Sequence, residues 1–468
     1  MEKKTKYTLD DLLHPFIILF TILVIVALMT HLIPAGVYDK VEVGGKLITK
    51  AGSYHQIQPN PINLMEFFMA IPQGLQNAAA LIFMIFLIGG AIRVFDSTGV
   101  FNAALSEILK RTGKDNGVLV IAFLTIFFAC IGAFPSMFEA TIPFAPILIS
   151  IALALGYDEV VGVSMGLLGV VIGWTSGPTN PWTVGIGQTI AQLPMFSGIG
   201  YRLVILVILT AITIIYISIY GKRIKQDPSR SVVYGINTGR GQYNSDNIFK
   251  TNFTTKHGFI LLDLALTIGL ILYGTFNWKW GITEMSAVYI MGGIIAGALA
   301  GFNPSKTADE FIMGGKNIFP AAMAVGLARS IQVLMDNAQI SDTIVHYLSI
   351  PLAHLPTIFT AIGMFIVQSI LNFFIPSGSG LAMVTMPIMV SLSDVLHLNR
   401  QIAILAFQYG DGLSNLCFPT TAVTMAFLSI AKIPFNKWLR YIMPYLLITW
   451  GFAAVSLIVA VLINYGPF

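Results

Sequence analysis

The chain has 468 residues, 56% hydrophobic and only 10% charged, with a formal net charge of +4 and a mean hydropathy of +0.79. A soluble protein of this length needs far more polar surface, and the basic residues form no separate basic domain, so soluble enzymes and nucleic-acid-binding proteins are excluded. The two cysteines, Cys130 and Cys417, are too few for a metal cluster, and nothing forces a disulfide between them.

The first apolar run, Phe16 to Ile33, closes on Ile33-Pro34-Ala35-Gly36. It is too long for a cleavable signal and predicts a retained span near 15–33. A polar loop runs to about 63, followed by a span near 76–95, a basic segment and a paired helical stretch at 117–155. A broken crossing at 160–193 precedes a continuous span at 200–220. Residues 221–257 are polar and rich in Lys and Arg without apolar periodicity, which predicts a surface linker. Beyond it come spans near 259–276 and 282–300 and a crossing near 318–335. A paired stretch at 356–396, a broken crossing at 401–430 and a final span at 438–463 complete the chain.

The two halves resemble each other at a shift of about 240 residues. Asp96 recurs as Asp336, Pro135-Ser136 as Pro376-Ser377, Pro146 as Pro387, Pro194 as Pro434 and Tyr201 as Tyr441. This divides the chain into a first membrane repeat with the N-terminal span (1–220), a cytoplasmic linker (221–258) and a second repeat with the C-terminal span (259–468). With the N-terminus in the cytoplasm, the segments assigned inside hold 19 of the 26 Lys and Arg, as the positive-inside rule requires. Arg202 falls among the six basic residues assigned to external loops. Equivalent loops carry opposite charge bias: Lys110, Arg111 and Lys114 follow Asp96, whereas no Lys or Arg lies between Asp336 and Pro356. The repeats are therefore expected to be inverted.

Two pairs of segments are unsuited to continuous membrane helices. Gly132 to Thr141 and Phe373 to Gly380 each place Pro and Gly at a reversal, predicting the tips of re-entrant hairpins. Trp174-Thr175-Ser176-Gly177-Pro178-Thr179-Asn180-Pro181 and Asp411 to Thr421 interrupt crossings near their middles. Unwound centres free carbonyls for a cation, and half-helix N-termini offer amides to a carboxylate. The predicted substrate-binding residues are Ser136, Glu139, Thr179, Asn180, Ser377, Ser379, Asp411, Ser414, Asn415 and Thr420. One such kink could serve packing alone, but four in repeat-symmetric positions point to a site. Asp411 is placed in an unwound centre, where it would hold a ligand, a cation or a proton. Arg93 and Arg329, beside Asp96 and Asp336, read as interface anchors or local ion pairs. Gly89-Gly90 and Gly292-Gly293 read as close helix packing. No histidine spacing suggests a metal, and no cofactor is expected.

These motifs together resemble the YfcC-like branch of the anaerobic C4-dicarboxylate carrier family, within the ion transporter superfamily. The resemblance covers essentially the whole chain. It rests on Ile33-Pro34-Ala35-Gly36, the two proline-containing hairpin regions, Gly177-Pro178-Thr179-Asn180-Pro181, and Asp411-Gly412 to Pro419-Thr420-Thr421. It implies an all-α, multi-pass secondary carrier of the bacterial cytoplasmic membrane, elevator-like in fold, with inverted repeats and re-entrant hairpins, from a superfamily that often forms homodimers. It also carries over Ser136, Ser377, Thr179, Asn180, Ser414 and Asn415 as site residues. The family name suggests dicarboxylates, whereas YfcC-like members are associated with basic amino acid exchange of the arginine–ornithine kind. No Arg or Lys is visible near the breaks to hold a dianion, and Glu139 and Asp411 suit a cationic side chain. The sequence thus favours an amino acid, with a proton- or sodium-coupled dicarboxylate carrier as the alternative. A channel or a non-transport membrane protein would leave the matched breaks unexplained.

Overall fold

The computed structural model describes residues 15–43, 46–101, 103, 104, 107, 117–134, 136–236, 253–278 and 280–466. The expected cytoplasmic N-terminus, the basic residues Lys110, Arg111 and Lys114, the tip residue Pro135 and most of the linker lie outside the described residues.

The chain opens with α1 (Pro15–Met29), and the loop after it carries strands β1 (Gly36–Val37), β2 (Lys40–Val43), β3 (Lys46–Thr49) and β4 (His55–Gln56). They pair antiparallel as β1 with β4 and β2 with β3. Then come α2 (Leu64–Asn77), α3 (Ala79–Ser97) and α4 (Gly117–Ala133). A 3-10 turn (Glu139–Phe144) leads into α5 (Ala145–Ala154), followed by α6 (Glu159–Ser176), α7 (Val184–Ile190) and α8 (Ile199–Gln226). The second half contains α9 (Thr255–Trp278), α10 (Ile282–Ala300), α11 (Pro304–Asn337), α12 (Ser341–Ser349), α13 (Thr357–Phe374) and α14 (Gly378–Val395). It ends with α15 (Arg400–Ser414), α16 (Ala422–Ala431) and α17 (Phe435–Leu462).

Eight of the described helices are long and apolar enough to cross a membrane: α3, α6, α8, α10, α11, α13, α14 and α17. Both expected hairpins and both broken crossings occur as helix–interruption–helix units. The expected loop to residue 63 is capped by the Asn63–Glu66 capping box that starts α2. The crossing expected at 318–335 is the second half of a 34-residue helix with Pro320 inside it.

Two groups of helices emerge from the packing. α11 packs against α1, α2 and α3, and α10 against α3 and α9. The other group nests around α6 and α15. α6 touches α4, α5, α8, α15 and α16, and α15 touches α6, α7, α13, α14 and α17. The two groups meet where α11 packs on α16 and α3 packs on the 3-10 turn. Small residues set the closest approaches, as expected where lipid supplies no hydrophobic drive between helices. A Cβ at Gly169 would lie 2.9 Å from the Thr125 carbonyl oxygen, and Gly173 faces the Ala129 carbonyl one turn on. The α4–α6 contact is therefore backbone against backbone. Gly90 takes the Phe311 ring and Gly293 lies on Ala91, close helix packing as the sequence suggests.

Arg93 donates to Asp96 at 2.9 Å and to Glu310 at 3.0 Å, the local ion pairing expected of it. Arg329 instead bonds the Gln332 side chain, and Asp336 accepts from Ser341 Oγ at 3.3 Å. Cys130 and Cys417 are free thiols.

Candidate functional site

The two interruptions lie at the centre of the α6–α15 group. All 18 residues of α6 are buried, and so is every residue of α15 after Arg400. α6 stops because Gly177 takes a left-handed conformation (φ +49°) and Pro178 follows, so the helical hydrogen-bond ladder cannot continue. α15 remains helical through Ser414. Asp411 therefore sits in the last turn of a helix, not in an unwound centre; the break begins at Asn415, because the next proline is only at 419.

Asp411 accepts a hydrogen bond from Trp174 Nε1 at 2.7 Å, which joins the last turns of the two broken helices. The tip of the second hairpin closes on the same place. A Cβ at Gly378 would lie 2.6 Å from Thr183 Cγ2, 3.1 Å from Asp411 Oδ2 and 3.1 Å from Trp174 Cζ2. The Asp411 carboxylate thus stands at the N-terminal end of α14, where the helix dipole favours negative charge. Glu139, half-buried on the 3-10 turn, is close enough to Asp411 for their charges to interact.

Asn372, on α13, organises the second break. Its Nδ2 reaches the Asp411 carbonyl at 3.1 Å, Ser414 Oγ at 2.8 Å and Asn415 Oδ1 at 2.9 Å. Asn415 also accepts from Thr421 Oγ1 at 3.2 Å, and its carbonyl takes Thr424 Oγ1 at 2.6 Å. In the first break, Asn180 Oδ1 accepts from the amides of Trp182 at 2.9 Å and Thr183 at 3.2 Å. Thr179 Oγ1 donates to the Phe134 carbonyl at 3.3 Å, tying this break to the first hairpin. Ser377 caps α14 by accepting from the Gly380 amide at 3.3 Å, and half-buried Ser379 lies in its first turn. Ser136 is buried in a left-handed conformation (φ +54°).

Buried polar atoms without a protein partner concentrate here. They include Ser136 Oγ, Asn180 Nδ2, Thr183 Oγ1, Asn372 Oδ1, Gln408 Oε1 and Thr420 Oγ1. Native folds leave few such groups, and a set of them around two chain breaks marks a place built for a polar solute. Among the described residues, no three His, Cys, Asp or Glu side chains stand together as a metal site.

The structure corrects the placement of Arg202. The sequence puts it in an external loop, but it is the fourth residue of α8 and fully buried, with Nη1 donating to the Ser176 carbonyl at 3.3 Å. A cation does stand beside the first break, contrary to the expectation of none. Asn372, Thr183 and Gln408 are also absent from the sequence-based set. For Asn372, the available signal was an amide one turn after another, Gln368, inside a mostly apolar helix.

Replacing Trp174 by Phe removes the donor to Asp411 and is expected to destabilise the protein by about 1.5–3 kcal/mol, the range for a hydrogen bond to a charged group. Asp411→Asn in the Trp174→Phe background should recover part of that loss. Thermal unfolding of the four proteins in detergent measures the coupling, and strictly additive losses would refute it.

Residues 12–462 match the C4-dicarboxylate anaerobic carrier family, DcuC. The chain belongs to this family. Within it, the chain sits in the YfcC-like branch. It is 29% identical over 463 residues to the putative basic amino acid antiporter YfcC of Escherichia coli K12, covering 91% of each chain. An uncharacterized protein of Haemophilus influenzae is 29% identical over 402 residues, covering 85% of this chain and 79% of the relative. Among solved structures, the YdaH transporter of Alcanivorax borkumensis covers 97% of this chain and is itself covered completely, at 12% identity and a TM-score of 0.43, too distant to carry an argument. Family membership makes the protein a multi-pass bacterial inner-membrane protein and a secondary transporter of a small solute, not an enzyme. Its DcuC-family helices are embedded in a lipid bilayer, and the interruptions of α6–α7 and α15–α16 are its candidate solute site.

Proposed function

We propose that this DcuC-family carrier moves a C4-dicarboxylate together with protons or sodium ions, by alternating access. The observation that carries the reading is the engagement of Asp411. Its carboxylate already holds the Trp174 indole N–H at 2.7 Å beside the α14 N-terminus. A cationic substrate side chain would meet the fixed charge of Arg202, and the Trp174 donor and the α14 N-terminus already offset part of the Asp411 charge. A dianion instead finds that charge, together with amides at the starts of α14 and α16. Glu139 and Asp411 lie within each other's field, and a proton or sodium ion shared there would lower the repulsion toward an entering dianion. Ser136, Thr179, Asn180, Ser377, Ser379, Ser414, Asn415 and Thr420 supply the neutral contacts. The two repeats, 1–220 and 259–468, are inverted, and the α6–α15 group moves against the α3–α11 group, as an elevator. A homodimer would hold the second group fixed.

The test is uptake into proteoliposomes of labelled succinate, fumarate, arginine and ornithine, with and without internal substrate and imposed proton or sodium gradients. Gradient-driven succinate or fumarate uptake is expected. Basic amino acid exchange is the second reading, favoured by the similarity to YfcC, a putative basic amino acid antiporter, and by two carboxylates within each other's field. Arginine uptake stimulated by internal ornithine, without dicarboxylate transport, would establish it and overturn the first.

Cys417 gives a local check. It lies in the second break, partly buried, with Sγ 3.4 Å from the Ser414 carbonyl. In a Cys130→Ser background, saturating substrate is expected to slow its reaction with a small maleimide at least threefold. A rate indifferent to substrate would place the solute elsewhere.

A further inference from the structure

Arg202 carries more charge than its place in the fold uses. It is fully buried, and it spends one donor on the Ser176 carbonyl. Its Nε and Nη2 complete no hydrogen bond with any described residue. Tyr465 stands within side-chain hydrogen-bond reach of the guanidinium and gives its own hydroxyl proton to the Gly198 carbonyl at 2.7 Å, so it offers the cation a neutral oxygen and no negative charge. Tyr409, also nearby, is engaged with Ser456 Oγ at 2.6 Å. Among the described ion pairs none includes Arg202.

Capping a helix C-terminus does not require this side chain. Two residues earlier the same helix end is capped by a neutral amide, Gln408 Nε2 donating to the Trp174 carbonyl. The dipole of α6 offsets only a fraction of a unit charge. A buried guanidinium whose named neighbours are a carbonyl and two tyrosine hydroxyls lacks an anion, and its planar fork matches a carboxylate. Its one bond places it at Ser176, directly before the left-handed Gly177 where α6 opens into the break.

We infer that Arg202 binds a carboxylate of the transported solute and sets the carrier's preference for carboxylate-bearing cargo. The inference rests on the carrier reading but not on the choice of cargo, since a dicarboxylate and an amino acid both bring a carboxylate.

The experiment compares matched solutes as competitors of uptake in proteoliposomes of the full chain: succinate against its diamide, succinamide, and arginine against agmatine, each second member lacking a carboxylate. Whichever pair the wild type carries decides the cargo class, separately from the variant result. For that pair the wild type is expected to favour the carboxylate-bearing member at least tenfold. Arg202→Gln is expected to lose about tenfold or more in affinity for that member, the loss typical of a charge-assisted bond, and to change little for its partner. Arg202→Lys keeps the charge but not the fork, so its ratio should fall severalfold; it also serves as the test should Arg202→Gln not fold. Equal losses for both members of the pair, or an unchanged ratio in Arg202→Lys, would overturn the inference and leave Arg202 as a helix cap. A wild type without preference within the pair would overturn it as well.

Discussion

Replacing Asn372 by Ala is expected to lower transport at least tenfold and to destabilise the protein by about 2–3 kcal/mol. One amide nitrogen with two protons is shared among the Asp411 carbonyl, Ser414 Oγ and Asn415 Oδ1, so its loss strips this buried place of its donor and leaves Asn415 Oδ1 only the one from Thr421. These groups belong to α15 and its break, while Asn372 belongs to the first helix of the second hairpin, so the substitution uncouples the hairpin from the break. Asn372→Asp should be worse, because it presents an oxygen to three oxygens. Uptake normalised to reconstituted protein, with thermal unfolding in detergent, checks both. An Asn372→Ala carrier with unchanged unfolding and uptake within twofold of wild type would remove Asn372 from the site.

Gly173→Leu is expected to prevent stable folding, at a cost above about 4 kcal/mol. The added side chain would enter the Ala129 carbonyl and the Ala133 amide nitrogen, and backbone cannot rotate away as a side chain can. Moving α4 off α6 would also separate Gly169 from Thr125 and Phe128, one turn away. The readout is the amount of monodisperse protein recovered from membranes. Gly315→Leu is the control, since Gly315 has no neighbour within contact of a new Cβ and should be recovered normally. Recovery of Gly173→Leu at the control level would contradict the backbone contact.

The helices, the hairpin interruptions and the breaks could be read from sequence because lipid imposes a simple rule on it: long apolar runs, with Pro, Gly and short polar residues only where protein surrounds the chain. Thr179, Asn180, Ser414 and Asn415 were legible for the same reason. Two things were not. Arg202 lies at the start of an apolar run, where charge counting assigns it to water, and only the three-dimensional path of α8 shows it turned inward. The bond between Trp174 and Asp411 joins residues 237 positions apart, and neither residue type announces the other. That bond changes the chemistry inferred for Asp411, from a carboxylate with no protein partner to one that already holds a donor and keeps acceptor capacity for a proton or sodium ion. The end of α15 was also set too early, because Gly412 looks like a breaker although its helix continues to Ser414.

The complete burial of α6 has a pharmacological consequence. No side chain of that helix faces the surrounding hydrocarbon, and its neighbours α4, α5, α8, α15 and α16 enclose it. A blocker that partitions into the bilayer would have to part packed helices to reach the side chains of α6, Trp174 and Ser176 among them. Effective blockers of this carrier should therefore be water-soluble compounds that arrive by the cargo's own route, and their potency should follow aqueous concentration, not lipophilicity.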